Sequence, residues 1–253
     1  DDYAIIENPN VYQLDLIQTA ELMFGTTNSN HPGVANYLNN GDWFISGKVT
    51  LIKRLSSNIK PYELTPNQSR TIFENKGWSR VVGFHTRNVL HQAHEHIQMK
   101  ALKDHHCDGM FIHPVVGPKK KGDYEAYVIM KSYEIAQNYA YPSNTVVLGA
   151  FQNYSRYAGP REAIFTALCR KNFGCSHFVV GRDHTGVADF YSSDQSQKLF
   201  DTVGDIGITP VFFNTYHYCN KCKKYVDQCE HNSNELLTIS GTQGREMISI
   251  KKQ

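Results

Sequence analysis

From Thr65 to Asn214 the chain alternates short apolar runs with helical patterns, and this alternation constrains the fold more than any other feature. The apolar runs lie at 81–85, 109–113, 145–150, 176–181 and 209–214. Helical patterns occupy 66–76, 88–104, 123–139, 160–172 and 194–203, the first capped by Thr65 with Pro66 at its first position. Repeated strand–helix units with apolar strands imply a parallel sheet covered by helices on both faces, an α/β domain. Such sheets bind ligands at the carboxyl ends of their strands. The polar residues that end each run are where chemistry is expected.

Two of these junctions share a design. At Val81–Glu95 an apolar run stops at His85-Thr86-Arg87-Asn88 and a helix begins, with His91 and His94 three apart on one face of its first turn. A helix N-terminus offers free backbone N–H groups and a partial positive charge. Arg87 and two imidazoles beside it make a place to hold a polyphosphate and stabilise charge developing on it. The second junction, Gly181-Arg182-Asp183-His184-Thr185-Gly186, again runs from an apolar strand into a cation and an imidazole. Its glycines let backbone approach a ligand closely, and Thr185 can present its N–H to an oxyanion. Asp183 is expected to orient Arg182 or His184. The loop Gly117–Asp123, with Lys119, Lys120 and Lys121, reads either as a solvated face or as a flap closing on phosphate. Arg156 and Arg161 follow the next strand and are expected to add to a cationic pocket.

Near the end, Cys219-x-x-Cys222 is followed by Cys229 and His231. That set fits a tetrahedral zinc site holding structure rather than performing chemistry, with His217 competing as fourth ligand. Cys107, Cys169 and Cys175 stand singly and read as buried reduced thiols, which makes the cytoplasm the expected compartment. A net charge of +2 and the absence of an aromatic-basic stripe argue against nucleic acid, despite Lys221, Lys223 and Lys224. No stretch approaches the ~20 apolar residues that span a bilayer, so no membrane partner is expected. Asp1-Asp2-Tyr3 lacks the features of a signal peptide, and without an initiator methionine the chain is expected to be a fragment or processed. Residues 1–55 hold short segments broken by turn formers, with Asp42–Leu51 expected as strands around a tight turn, and read as part of a small β-rich domain.

Together these motifs resemble the ATP sulfurylase (sulfate adenylyltransferase) family. The likeness is carried by Thr86-Arg87-Asn88-x-x-His91-x-x-His94-Glu95, His113-Pro114-x-x-Gly117 with Lys119 to Asp123, and Tyr157-Ala158-Gly159-Pro160-Arg161-Glu162-Ala163. Arg170-Lys171-Asn172-Phe173-Gly174-Cys175, Gly181-Arg182-Asp183-His184-x-Gly186 and Ser240-Gly241-Thr242-x-x-Arg245 extend it over nearly the whole chain. Gly25-Thr26-Thr27, His31-Pro32-Gly33-Val34 and Gly41-Asp42-Trp43 look like the latter part of that family's PUA-like domain, which implies a chain truncated at its start. The implied layout is a partial PUA-like domain at 1–55, a Rossmann-like nucleotidyltransferase domain at 56–215 and a zinc-binding region at 216–253.

The resemblance implies transfer of AMP from ATP, with magnesium on the nucleotide, to sulfate, giving adenylyl sulfate and pyrophosphate without a covalent intermediate. Thr86, Arg87, Asn88, His91 and His94 would form the catalytic group. Arg87 and Arg182 would hold sulfate with the Thr185 N–H and His85. His91 and His94, with Gly181, Arg182 and His184, would bind ATP. A homo-oligomer is expected. Three positions depart from the family pattern: His85 stands where glutamine is usual, Val89 where proline is usual, and Thr185 where alanine is usual. The imidazole at 85 leaves open another acceptor, phosphate or an organic anion. A same-fold nucleotidyltransferase with that acceptor, or a non-catalytic nucleotide-binding module, are the competing readings.

Overall fold

The computed structural model describes residues 2–118, 123–181 and 184–237. Lys119–Gly122, Arg182, Asp183 and the Ser240–Arg245 motif lie outside the described residues.

The chain opens with β1 (Ala4–Gln13), α1 (Leu16–Phe24), α2 (Pro32–Leu38) and β2 (Trp43–Leu51). The two strands pair antiparallel as one ribbon. The expected turn within Asp42–Leu51 is absent, because β2 runs straight through Gly47. The turn-forming Asn8-Pro9 is instead a bulge in β1, between Glu7↔Lys48 and Asn10↔Ser46, with Asn8 at a φ of 49°. Gly47 lies against that bulge, where a Cβ would crowd Ile6 and the Glu7 carbonyl. The two helices also went unforeseen. Asp15 caps α1 by accepting from the Ile17 and Gln18 N–H groups, and Gly25 closes it in the left-handed region. His31 caps α2 through Nδ1 with Pro32 at the first position.

The second part alternates as expected. It runs α3 (Pro66–Asn75), β3 (Val81–Phe84), α4 (Gln92–Asp104), β4 (Gly109–Ile112), α5 (Ala126–Tyr139), β5 (Val146–Leu148), α6 (Gly159–Asn172), β6 (His177–Val180), α7 (Gln195–Val203) and β7 (Thr209–Phe212). The strands form one parallel sheet in the order β5-β4-β3-β6-β7. Successive residues of a strand face opposite sides. Val82 and Phe84 of β3 thus pack with Met110, Ile112, Ile129 and Tyr133 beneath α4 and α5, while Val81 packs with Phe73, Phe111, Ala163 and Phe178 beneath α3 and α6. Each such side chain, buried, stabilises the fold by about 1.5–3 kcal/mol relative to exposure. The order reverses between β3 and β6, which opens a crevice at their carboxyl ends.

Three short strands close the described chain: β8 (His217–Cys219), β9 (Lys224–Val226) and β10 (Leu236–Leu237), in the order β10-β8-β9. His31 ties the first part to the second. Its ring is fully buried, and with Nδ1 accepting from Gly33 and Val34, Nε2–H donates 2.9 Å to the Tyr157 carbonyl. Among the described residues, no helix is long and apolar enough to cross a membrane.

Candidate active site

Both polar junctions open into one cavity of about 440 Å³ at the β3/β6 crevice. It is lined by His85, Thr86, Arg87, Asn88, His91 and His94 from one side and by Gly181, His184 and Thr185 from the other. Phe213, Asn214, Thr215 and Tyr216, after β7, complete the wall. Sequence reading missed these four, whose only mark was their place at a strand's carboxyl end. A larger cavity, about 740 Å³, lies between α1, α2 and residues 154–157. It is apolar and holds none of the residues of the two junctions, so chemistry is assigned to the smaller one.

The loop after β3 spends two of its backbone N–H groups on setting its own course. Thr86 Oγ1 accepts from the Asn88 N–H at 3.1 Å, and Ser132 Oγ accepts from the Leu90 N–H at 3.2 Å. Those bonds hold 88–90 out of the helix that the sequence placed there, and α4 starts at Gln92. His91 is its N-cap residue and makes no side-chain capping bond. The first turn of α4, whose Ala93 and His94 line the cavity, thus carries no side-chain cap from His91, an arrangement that favours a bound anion. His91 and His94 stack with ring centroids 3.8 Å apart, and His94 also meets Phe84 edge-on at 5.3 Å. Burial pushes His94 down to about 3, with His91 adding to the effect, and lowers His91 as well. Both rings are neutral near pH 7. Among the described residues, His94 Nδ1 is buried without a hydrogen-bond partner. Arg87 lies over the Tyr157 ring, 5.3 Å from its centroid.

The loop after β6 spends its histidine internally. The Gly181 N–H donates to His184 Nδ1 at 3.4 Å, and Thr166 Oγ1, which donates to the Ala163 carbonyl, lies 3.1 Å from Nε2. The ring must then donate through Nε2–H to Thr166, so both nitrogens are committed. His184 lines the cavity with both ring nitrogens bonded inside the protein, where they support the loop. Thr185 has a φ of 54°, costly for a β-branched residue, and its hydroxyl donates 2.7 Å to the His184 carbonyl. Arg182 lies outside the described residues. Arg156 is not part of this pocket: its guanidinium sits over Tyr154 and Phe165, beside the apolar cavity. Arg161 does not line the pocket either. The Glu162 carboxylate accepts from the Arg156 and Ala158 N–H groups and so occupies the start of α6 itself.

The cysteine cluster is assembled as the spacing required. The Cys219, Cys222 and Cys229 sulfurs and His231 Nδ1 lie within 4.8 Å of one another. Cys222 and Cys229 Sγ are 3.4 Å apart, Cys219 and Cys229 Sγ 3.6 Å, and His231 Nδ1 is 3.0 Å from Cys229 Sγ. Four ligands about 2.3 Å from a tetrahedral zinc would stand a little under 4 Å apart, so the set fits a metal ion. The Cys222 N–H donates to Cys219 Sγ and holds that thiol down to about 6, readying it as thiolate. Among the described residues His217 is outside the cluster, which leaves His231 as the fourth member. Cys107 and Cys169 are half-buried and Cys175 is buried, all with burial-raised thiols.

Comparison with known proteins agrees with this geometry. The ATP-sulfurylase family model matches residues 60–253, and a PUA-like domain model matches 1–54. A sulfate adenylyltransferase of Halothermothrix orenii is 43% identical over 256 residues, covering 99% of this chain and 66% of that protein. One of Pyrococcus abyssi is 43% identical over 241 residues, covering 94% of this chain and 63% of that protein. The chain thus spans slightly under two thirds of the length of these relatives. A solved structure, the hexameric APS kinase from Thiobacillus denitrificans, shares the fold with a TM-score of 0.62 at 20% identity, over 81% of this chain and 39% of that one. With three quarters of its length matched by the family model, in a part holding both junctions and the cysteine cluster, the chain belongs to the ATP-sulfurylase family.

Proposed function

We infer that the cavity at the β3/β6 crevice transfers AMP from ATP to sulfate, releasing pyrophosphate. The observation that carries this reading is the meeting of both junctions in one cavity, with an uncapped helix start and the stacked His91–His94 pair on one side. A sulfate oxygen attacks the α-phosphorus of magnesium-bound ATP in line, and the bond from that phosphorus to the bridging oxygen of pyrophosphate breaks. Sulfate is a weak nucleophile that carries no proton to remove, so the site needs positioning and charge stabilisation rather than a base. Arg87 and Arg182 hold the acceptor with His85 and the Thr185 N–H. Asn88 orients the reacting phosphate under Thr86, and Gly181 admits the nucleotide closely. His91 and His94 bind the ATP phosphates and stabilise the leaving pyrophosphate.

The three segments 1–55, 56–215 and 216–253 act as a partial PUA-like domain, the catalytic domain and a metal-holding region. Cys219, Cys222, Cys229 and His231 would hold structural zinc. That region leans on the site: His96 of α4 lies 4.8 Å from the Tyr216 ring and 5.5 Å from the Tyr225 ring. A second reading, the same transfer to another oxyanion, is favoured by the imidazole at 85. Pyrophosphate release from ATP and magnesium, measured in the full-length protein with sulfate, with phosphate and with neither, separates them. Release that requires sulfate supports the first reading, and release that requires phosphate supports the second.

A further inference from the structure

Arg170 is a fully buried cation in the last turns of α6, and no salt bridge to it forms among the described residues. Gly83 of β3 makes room for it, since a Cβ there would lie 2.9 Å from Arg170 Cγ. One amino group donates 2.7 Å to the His113 carbonyl and 2.7 Å to His85 Nδ1. The guanidinium lies over Phe151, 4.2 Å from its centroid, and Nε has no hydrogen-bond partner among the described residues. A guanidinium only donates, so His85 Nδ1 must present a lone pair, and the single proton of the neutral ring sits on Nε2. Nε2 makes no hydrogen bond among the described residues, and the ring lines the cavity beside Thr86 and Arg87.

We propose that Arg170 is a positioning residue that locks His85 as a neutral Nε2–H donor toward the acceptor anion, and that this lock favours fully deprotonated tetrahedral oxyanions. This rests on the acceptor placement given above. Among the described residues, the groups facing His85 are Arg170 from α6, His113 after β4, Phe151 after β5, His184 after β6 and Arg87 on its own loop, and none of these is a carboxylate. Protonating Nδ1 would set N–H against N–H and place a second cation at the guanidinium. Burial, then Arg170, accordingly hold His85 well below its ordinary value. With Arg87 and the Thr185 N–H also able only to donate, nothing in this group accepts the hydrogen of a protonated oxyanion such as hydrogen phosphate. An amide at position 85, as the resemblance leads one to expect, would offer a carbonyl as well. The imidazole locked in one tautomer offers none.

The test is nitrogen NMR of histidine-labelled protein from about pH 5 to about pH 8, with the His85 resonances assigned by their loss in His85→Gln. The expected result is a neutral ring protonated at Nε2 throughout. A ring protonated at Nδ1, or one titrating near its ordinary value, would overturn the proposal. In Arg170→Met the His85 ring should begin to titrate and oxyanion affinity should become pH-dependent, while Arg170→Lys keeps a donor and restores part of the lock. A folded Arg170→Met protein whose His85 behaves as in the wild type would remove Arg170 from the role. If Arg170→Met does not fold, the wild-type tautomer still decides. Sulfate should also bind more tightly than phosphate in the wild type, and equal binding would remove the selectivity. The tautomer is read without turnover, so failure of the sulfate reaction and failure of the lock give different results.

Discussion

The loops after β3 and β6 begin alike, an apolar strand running into a cation and an imidazole, yet they use their histidines in opposite ways. After β3, His91 and His94 stack at a helix start that no side chain of His91 caps, and His94 Nδ1 has no hydrogen-bond partner among the described residues. After β6, His184 is clamped between the Gly181 N–H and Thr166 Oγ1. The first loop's two histidines stack on each other beside the cavity, whereas the second loop's histidine is held by hydrogen bonds within the protein. What separates them is a partner. Thr166 reaches His184 from α6, while the rings beside His94 are those of His91, at 3.8 Å, and Phe84, at 5.3 Å.

The largest expected effect contrasts the two histidines directly. His94→Ala should fold normally and lose at least about a hundredfold in turnover, the usual loss when a group stabilising transition-state charge is removed. His184→Ala should instead lose about 1–3 kcal/mol of stability, from an unsatisfied buried partner, with much of its turnover per folded molecule kept. Steady-state kinetics and denaturant titration on both variants check this pair, and the reverse pattern would invert the assignment.

Acid should then expose what both rings share. Burial holds His94 and His184 each down to about 3, below the ordinary 6.5, so the unfolded chain binds more protons as pH falls. Stability is therefore complete above about pH 6.5 and lost progressively toward pH 3, each ring costing about 2 kcal/mol by pH 5. Denaturation across that range measures it, and an equal loss without either histidine would discount the burial account. A bound polyphosphate should protect the His94 side of the comparison only.

Smaller effects follow from what each loop leans on. The cysteine cluster touches the first loop's helix through Tyr216 and Tyr225 on His96. Cys222→Ser should release about one equivalent of metal per chain, loosen the cluster and lower hydrogen-exchange protection in α4 about tenfold, leaving β6 unchanged. Equal loosening of α4 and β6 would mean that the cluster supports the whole sheet. Thr185→Ala should change catalysis least, because the backbone N–H rather than the hydroxyl is assigned to the acceptor. A large rise in KM for the acceptor would instead place the hydroxyl in the site.

The parallel sheet was legible because four-residue apolar runs such as Val81–Phe84 and His177–Val180 have no other way to be buried at that length. The first loop and the cysteine cluster were legible because their members lie close in sequence. Long-range partners left no such mark. Thr166 beneath His184 and Ser132 holding Leu90 become neighbours only when the helices pack. Arg170 read as a motif residue, and in the last turn of a helix a cation also suits the dipole, so nothing announced its burial. In the first part, α1 and α2 were hidden by a turn-rich stretch whose Asp15 and His31 proved to be caps. Asn8-Pro9, with Gly47 opposite, made a bulge rather than a break.

The β3/β6 crevice is proposed to move AMP onto sulfate, with the first loop's histidines stabilising the leaving pyrophosphate. The most direct measurement is single-turnover formation of adenylyl sulfate from ATP and radiolabelled sulfate, in full-length protein carrying the wild-type sequence, His94→Ala or His184→Ala. Labelled product from the wild type and His184→Ala, with almost none from His94→Ala, is the predicted result. Equal product from all three would contradict the assignment of His94, and no labelled product from the wild type would contradict sulfate as the acceptor.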